Sequence, residues 1–287
     1  MTLLSQPRLL AVVAVLASPV AAYAQSAALE IDYAVPSGYV AGRQEGVVVL
    51  APQPSNLLAK CRYAFKPPRP SSESLDAAAQ ADLDSETVQS GMRRTSASPV
   101  ARKGVAPAGW RYFLLGGEFE AQSAGGIRYL AIMVLAIPTS PGRVSVVLGV
   151  GSVGGCTFDD VGFAQLFLSL NPRGWANPSG NVLTRDLIGE WQGSRLSGHT
   201  FLADGRYFNS AAGVVHDQAI PLEGSGRYAV SGAQITITPH AEGRPQERFR
   251  VFIYDKLNNG RWQRAMSVLY DERKPSPYVA EYVRAGQ

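Results

Sequence analysis

The sequence predicts an α+β domain, an antiparallel sheet with helices packed on it, followed by an all-β antiparallel barrel. Three observations carry this expectation. Up to about residue 172, strand-like and helix-like segments follow in the order strands, helix, strands, helix, the pattern of an antiparallel sheet covered by helices. Asn171 to Gly180 then reads Asn-Pro-Arg-Gly-Trp-Ala-Asn-Pro-Ser-Gly, a density of turn formers that suits a linker. After Asp186 short stretches alternate apolar and polar residues between hairpin turns. The predicted organisation is a leader over 1–24, an α+β domain over 25–172, a linker over 173–185 and a barrel over 186–287.

Bulk properties narrow the class. A chain of 287 residues has room for two domains, each with its own core. Charged residues make up 17% and the net charge is +4, scattered along the chain, which argues against a nucleic-acid partner that needs a concentrated basic face. At the amino terminus Arg8 precedes the apolar run Leu9–Ala17, Pro19 breaks it, and Ala22-Tyr23-Ala24 offers the small-x-small pattern of a signal peptidase site. The run is shorter than the roughly 20 residues that span a bilayer, so cleavage after Ala24 and export are expected. A periplasmic or secreted protein with no membrane span after cleavage follows from that reading. Two cysteines in an exported chain pair most simply with each other, and a Cys61–Cys156 disulfide would link residues 95 apart.

Within the first domain, Leu29–Tyr33 alternates as a strand and Pro36-Ser37-Gly38 turns the chain. Gly46–Leu50 reads as a buried strand, and the strand around Cys61–Phe65 is expected to end at Pro67-Pro68. Ser71-Ser72-Glu73 supplies capping residues for a helix to about Val88, with Leu75, Ala79 and Leu83 apolar and Gly91 as the stop. Met92–Ala108, with Arg93, Arg94, Arg102 and Lys103 at no regular period, reads as a solvated loop. Trp110–Phe119, Ile127–Ile137 and Arg143–Val150 follow as hairpin-linked strands. Asp159 and Asp160 suit the first turn of a helix carrying Phe163, Leu166, Phe167 and Leu170. This order of elements, opened by a strand that ends at Pro36-Ser37-Gly38 and closed by a helix, resembles the PsbP/Mog1-type α/β/α sandwich.

In the last third, Asp204-Gly205 and Ser231-Gly232 mark tight hairpins, and Asn258-Asn259-Gly260 marks another. Ile235 and Ile237 share one strand face, as do Phe249, Val251 and Ile253 on the next, with arginines between them pointing outward. The two Gly-Arg-Tyr triplets at Gly205 and Gly226 lie two strand lengths apart, so both are expected to enter strands running in the same direction. Seven or eight such strands close readily, because closure removes exposed edges. Leu187-Ile188-Gly189-Glu190-Trp191, then Phe201-x-x-Asp204-Gly205-Arg206-Tyr207 and Gly226-Arg227-Tyr228-x-Val230-x-Gly232-x-x-Ile235, resemble the bacterial lipocalin-like (calycin-type) domains. The resemblance covers roughly Asp186–Tyr270. It implies a small barrel whose Gly-x-Trp closes one end and whose mouth or interior is the binding site.

Motifs for chemistry are few. Gly149-Val150-Gly151-Ser152-Val153-Gly154 has the letters of a dinucleotide fingerprint, but antiparallel strands precede it and no acid follows at the required distance, so it reads as a flexible turn. The same glycines miss the nucleophile-elbow pattern at its first position. His199, His216 and His240 fit no zinc spacing and read as exposed loop histidines. Asp271-Glu272-Arg273-Lys274 reads as a solvated charge cluster. No metal, cofactor or catalytic residue is expected. The functional expectation is an exported, non-enzymatic binding protein that holds a small apolar ligand or an envelope protein by its barrel, through Trp191, Tyr207, Tyr228, Ile237, Phe249 and Val251. A structural or assembly factor with a filled barrel is the first alternative, and a secreted hydrolase the second.

Overall fold

The computed structural model describes residues 29–44, 46–54, 61–95, 100–123, 126–175, 182–193, 197–215, 218–270 and 277–286, with the side chains of 182 and 210–223 set aside. The expected leader and its cleavage site, residues 176–181 of the Pro/Gly-rich linker, His216 and the Asp271–Lys274 cluster lie outside these residues. The chain is mostly β and divides into two units. The first comprises residues up to Ala101, Tyr112–Thr157 and Leu170–Trp175; the second comprises Arg102–Arg111, Phe158–Ser169 and Ala176–Gln287.

In the first unit, β1 (Ile31–Asp32) is shorter than the alternation at Leu29–Tyr33 predicts. Among the described residues it pairs with β10 (Asn171–Pro172) alone. Strand β2 (Tyr39–Gln44) was not anticipated, because four of its six residues are exposed and show no alternation. It pairs with β3 (Val47–Pro52), and β3 with β4 (Cys61–Pro70). Strand β4 runs past Pro67-Pro68, where a stop was expected: the ladder to β9 (Arg143–Ser152) shifts register between Lys66 and Arg69. The prolines, which cannot donate to a ladder, fall in that irregularity. Strands β7 (Arg111–Ser123), β8 (Gly126–Ser140) and β9 form an antiparallel meander. Helix α1 (Leu75–Gln89) lies against β8 and β9. Its buried Asp82 receives Lys66 Nζ at 2.9 Å and Arg69 Nη2 at 2.6 Å, which compensates a carboxylate taken out of water.

The segment expected as a loop over Met92–Ala108 contains two strands. β5 (Arg93–Arg94) pairs with β7, and β6 (Val100–Val105) pairs through its Arg102–Gly104 with a strand of the second unit. The irregular charges hid them: Arg102 is buried, while Lys103 stays exposed and lies 4.1 Å above the Trp262 ring.

Cys61 and Cys156 form the expected disulfide, with Cα atoms 4.7 Å apart. It also explains part of the glycine run. Gly149 lies in β9, not in a turn, and a Cβ there would stand 3.2 Å from each of the two sulfurs. Only Gly154, at φ +73°, supplies turn geometry.

In the second unit, eight strands close into an antiparallel barrel. They are β11 (Gly189–Gly193), β12 (Gly198–Phe201), β13 (Arg206–Val215), β14 (Gln218–Ser231), β15 (Gln234–Pro239), β16 (Glu247–Asn258), β17 (Arg261–Tyr270) and β18 (Tyr278–Arg284). Each pairs with the next, and β11 pairs with β18 to shut the wall. The hairpins at Gly205, Gly232 and Asn259-Gly260 sit where the turn residues predict, all at positive φ. The two Gly-Arg-Tyr triplets are a correction: Arg206 faces Arg227 across the β13–β14 ladder, so their strands run in opposite directions. The β13–β14 hairpin is longer than the assumed unit, and the second triplet falls in its returning arm.

Helix α2 (Val161–Ser169) starts after the predicted acids rather than containing them. Asp160 accepts a hydrogen bond from the Phe163 amide at 2.9 Å, capping the first turn. With Phe158 it lays Phe163 and Phe167 toward Phe252 and Tyr254 on the outside of the barrel. Helix α3 (Val182–Leu187), unpredicted because its single turn and a half is too short to show a period, leads into β11.

Candidate functional site

The six residues expected to serve as ligand contacts all lie in the barrel wall, and five are buried. Trp191 is 0% exposed and its Nε1 donates to the Leu187 carbonyl at 2.8 Å. The Arg284 guanidinium stands 5.7 Å over the Trp191 ring and donates to the Ile188 carbonyl at 2.7 Å, so the α3–β11 corner is tied down. Ile237, Phe249 and Val251 join Ile235, Ile253, Met266 and Val268 in one packed cluster. Tyr207 belongs to the same cluster. Tyr228 is only half-buried at its rim: its hydroxyl donates to Leu202 O at 2.8 Å and its ring meets Phe201 edge-on. Burial and the nearby Asp204 carboxylate raise the Tyr228 hydroxyl pKa.

This interior is occupied by the protein itself. Trp191, Phe201, Ile235, Val251, Met266 and Val268 expose no measurable surface to a water-sized sphere. A chamber able to hold a ligand would leave such lining residues accessible from within. Barrels of eight strands are just wide enough for side chains to fill, and among the described residues these side chains pack the space between them.

The interior also holds a polar network that sequence reasoning missed. His199, expected as an exposed loop residue, lies in β12 and is buried. Its Nδ1 is 2.7 Å from the Tyr207 hydroxyl and its Nε2 is 3.2 Å from the Tyr270 hydroxyl, which in turn lies 3.4 Å from that of Tyr282. Its ring is flanked by Phe201, Phe249 and Tyr282. Burial pushes the Tyr270 hydroxyl far above its ordinary pKa. The short four-residue strand gave no alternation, and Thr200 between two inward residues is the only signal that could have placed His199 inside. His240, by contrast, is exposed as expected.

Outside the wall, between the ends of β11 and β18, lies an open groove of about 500 Å³ bordered by Gln192, Gly193, Ser197, Val279, Glu281 and Lys256. Glu281 is the centre of its charge chemistry. Its carboxylate accepts from Lys256, from Tyr254 Oη at 2.5 Å and from Arg102 Nη2 at 3.1 Å. Burial alone would raise its pKa, but the Lys256 and Tyr254 hydrogen bonds and the Arg102 charge outweigh it and hold the carboxyl below its usual range. Arg102 lies 4.3 Å over the Phe158 ring and 5.3 Å over Tyr254, which places a cation against aromatic faces. Tyr254 also pairs with Ser267 at 2.9 Å, and burial drives its hydroxyl pKa well up. Tyr254 is therefore a hydrogen-bond donor that stays neutral, and Glu281 an anion whose neighbours satisfy it.

Among the described residues, no group of three or more His, Cys, Asp or Glu side chains is placed to hold a metal ion. No helix of the described residues is long and apolar enough to cross a membrane. Compared with known proteins, the chain matches no protein-family model and no curated protein.

Proposed function

We propose that this chain is an exported, non-enzymatic binding protein that engages a protein partner on the outer wall of its barrel, not an apolar molecule inside it. The observation that carries this reading is the filled interior: the residues best placed to line a ligand chamber pack against each other instead. The disulfide fits an oxidising compartment, which supports export and a periplasmic or secreted site of action. The closed eight-strand barrel with a buried Gly-x-Trp at its tied-down corner supports membership of the lipocalin-like group, used here as a rigid scaffold. The sheet and helix of the first unit support an α+β domain of the PsbP/Mog1 type as a second docking surface.

Two measurements test the proposal. Titration of Trp191 fluorescence with fatty acids, retinoids and haem should give no saturable quenching; a saturating response to any of them would restore a ligand-carrying lumen. Cross-linking in the native envelope should trap one protein at constant stoichiometry, and trapping should survive Phe249→Leu, which alters the interior only. A cross-link lost on that change would place recognition inside the barrel and overturn the reading.

A further inference from the structure

Along one stretch of the barrel wall a strand outruns its neighbour. Strand β18 pairs with β17 over all of Tyr278–Val283, but with β11 only at Arg284, Val283 and Tyr282. β11 ends at Gly193, whose N donates to Ser197 O at 2.8 Å, and β12 begins at Gly198. The groove of about 500 Å³ borders this stretch of β18.

The register says which main-chain groups face it. Ala285 N donates to Glu190 O at 3.0 Å, so the Glu190/Ala285 pair is of the hydrogen-bonded kind, and so, two residues on, is Gln192/Val283. The same parity turns the N–H and C=O of Glu281 and Val279 toward the groove, and those of Ala280 and Tyr282 toward β17. Among the described residues neither Glu281 nor Val279 has a main-chain partner on that side.

The same unit shows what such a vacancy accepts. On β16, the edge that β15 pairs from Glu247 to Arg250 is taken over at Tyr254–Lys256 by β6, an extended segment from far away in sequence. Where one neighbour stops, another strand adds. At β18 the corresponding main-chain groups have no partner among the described residues.

We propose that the β18 edge at Val279–Glu281 receives an extended segment of a partner protein, which adds as an antiparallel strand and continues the line of β11. This rests on the reading of the chain as a protein-binding protein and names the class of partner. Four main-chain groups, repeated at a two-residue spacing of about 6.8 Å, give the affinity. Side chains set the sequence preference. The residue opposite Ala280 projects to the side of Ala280 and Tyr282, which border the groove, so an apolar side chain there is covered at the rim and stays outside the packed interior. The residues opposite Val279 and Glu281 project outward beside the Glu281–Lys256 pair, where small polar side chains fit.

The probe is the peptide acetyl-Ser-Thr-Phe-Thr-Ser-amide added to the full chain, with amide hydrogen exchange read residue by residue by NMR. In the free protein the Val279 and Glu281 amides should exchange fast while those of Ala280 and Tyr282 are protected; protection of all four would show the edge already covered and end the proposal. Saturating peptide should slow Val279 and Glu281 by at least about tenfold. Methylating the backbone nitrogens of both Thr residues removes two ladder bonds and should abolish that effect, whereas methylating the Phe nitrogen, which points away from β18, should leave it. Equal binding of the Thr-methylated peptide, or no slowing at millimolar peptide, overturns strand addition. The broader reading survives that outcome as long as the lumen titration stays flat and the envelope cross-link persists, so the two failures are distinguishable.

Discussion

Phe249→Ala tests the filled barrel most directly. The ring is 2% exposed, its centroid lies 5.5 Å from that of Tyr270 and 6.0 Å from His199, and the residue faces Ile235 across the ladder. Truncation removes buried apolar surface and leaves a void that a closed, hydrogen-bonded wall cannot collapse to fill. Substitutions of this kind cost about 3–5 kcal/mol, and this site belongs in the upper half of that range because two ring contacts go with the side chain. The assay is urea unfolding of the second unit, followed by tryptophan fluorescence, for both proteins. The void left by the ring has the shape of benzene, so benzene at a hundredfold excess over its dissociation constant should restore about 2.7 kcal/mol to the variant and nothing to the wild type. A loss below about 1 kcal/mol would mean that the interior was already hollow. Benzene stabilising the wild type equally would refute the argument outright.

Three further outcomes are expected. Reducing or replacing the Cys61–Cys156 bridge, which joins residues 95 apart, should lower stability by about 4–5 kcal/mol in the chain-entropy account, measured by denaturation with and without reductant. Gly149→Ala should cost about 1–3 kcal/mol in the oxidised protein and clearly less when both cysteines are alanine; equal costs in the two backgrounds would show that the glycine does not serve the sulfurs. Because the folded Glu281 carboxyl is held below its ordinary value, the stability it confers is present above that ordinary value and is lost as pH falls through the folded one. Glu281→Gln should therefore cost about 1–3 kcal/mol at neutral pH and flatten the acid limb of an unfolding titration followed by circular dichroism.

The fold was legible wherever one physical signal acted alone. Hairpin turns that need positive φ announced themselves as Asp204-Gly205, Ser231-Gly232 and Asn259-Gly260, and the alternation of Phe249, Val251 and Ile253 told which face of β16 is inside. Signals failed where two demands met in one residue. Arg102 is buried because aromatic faces and Glu281 replace its water, and a pattern based on charge reads it as solvent-facing. Gly149 looks like loop chemistry but stands in a strand to clear a disulfide whose second cysteine comes from beyond β9. Strand β2 lacks alternation because nothing packs on most of it.

The candidate site was half legible for a related reason. Side-chain periodicity reports which residues face inward, and it correctly put Trp191, Ile237, Phe249 and Val251 in the barrel wall; it carries no information on whether the space they face is empty. Volume depends on the residues opposite, and here those include His199, Tyr270 and Tyr282, none of which has an apolar pattern of its own. Nor does composition say where a ladder stops. The opening beside Val279 and Glu281 exists because β11 ends at Gly193 while β18 begins earlier than its partner requires, a mismatch of strand lengths on two segments nearly ninety residues apart. Pairing is a property of two chains at once, so an unpaired edge is visible only after both strands are placed. With its packed core made of its own side chains, the barrel offers recognition at unpaired strand edges such as this one, and pairing by main chain is the chemistry such an edge supplies.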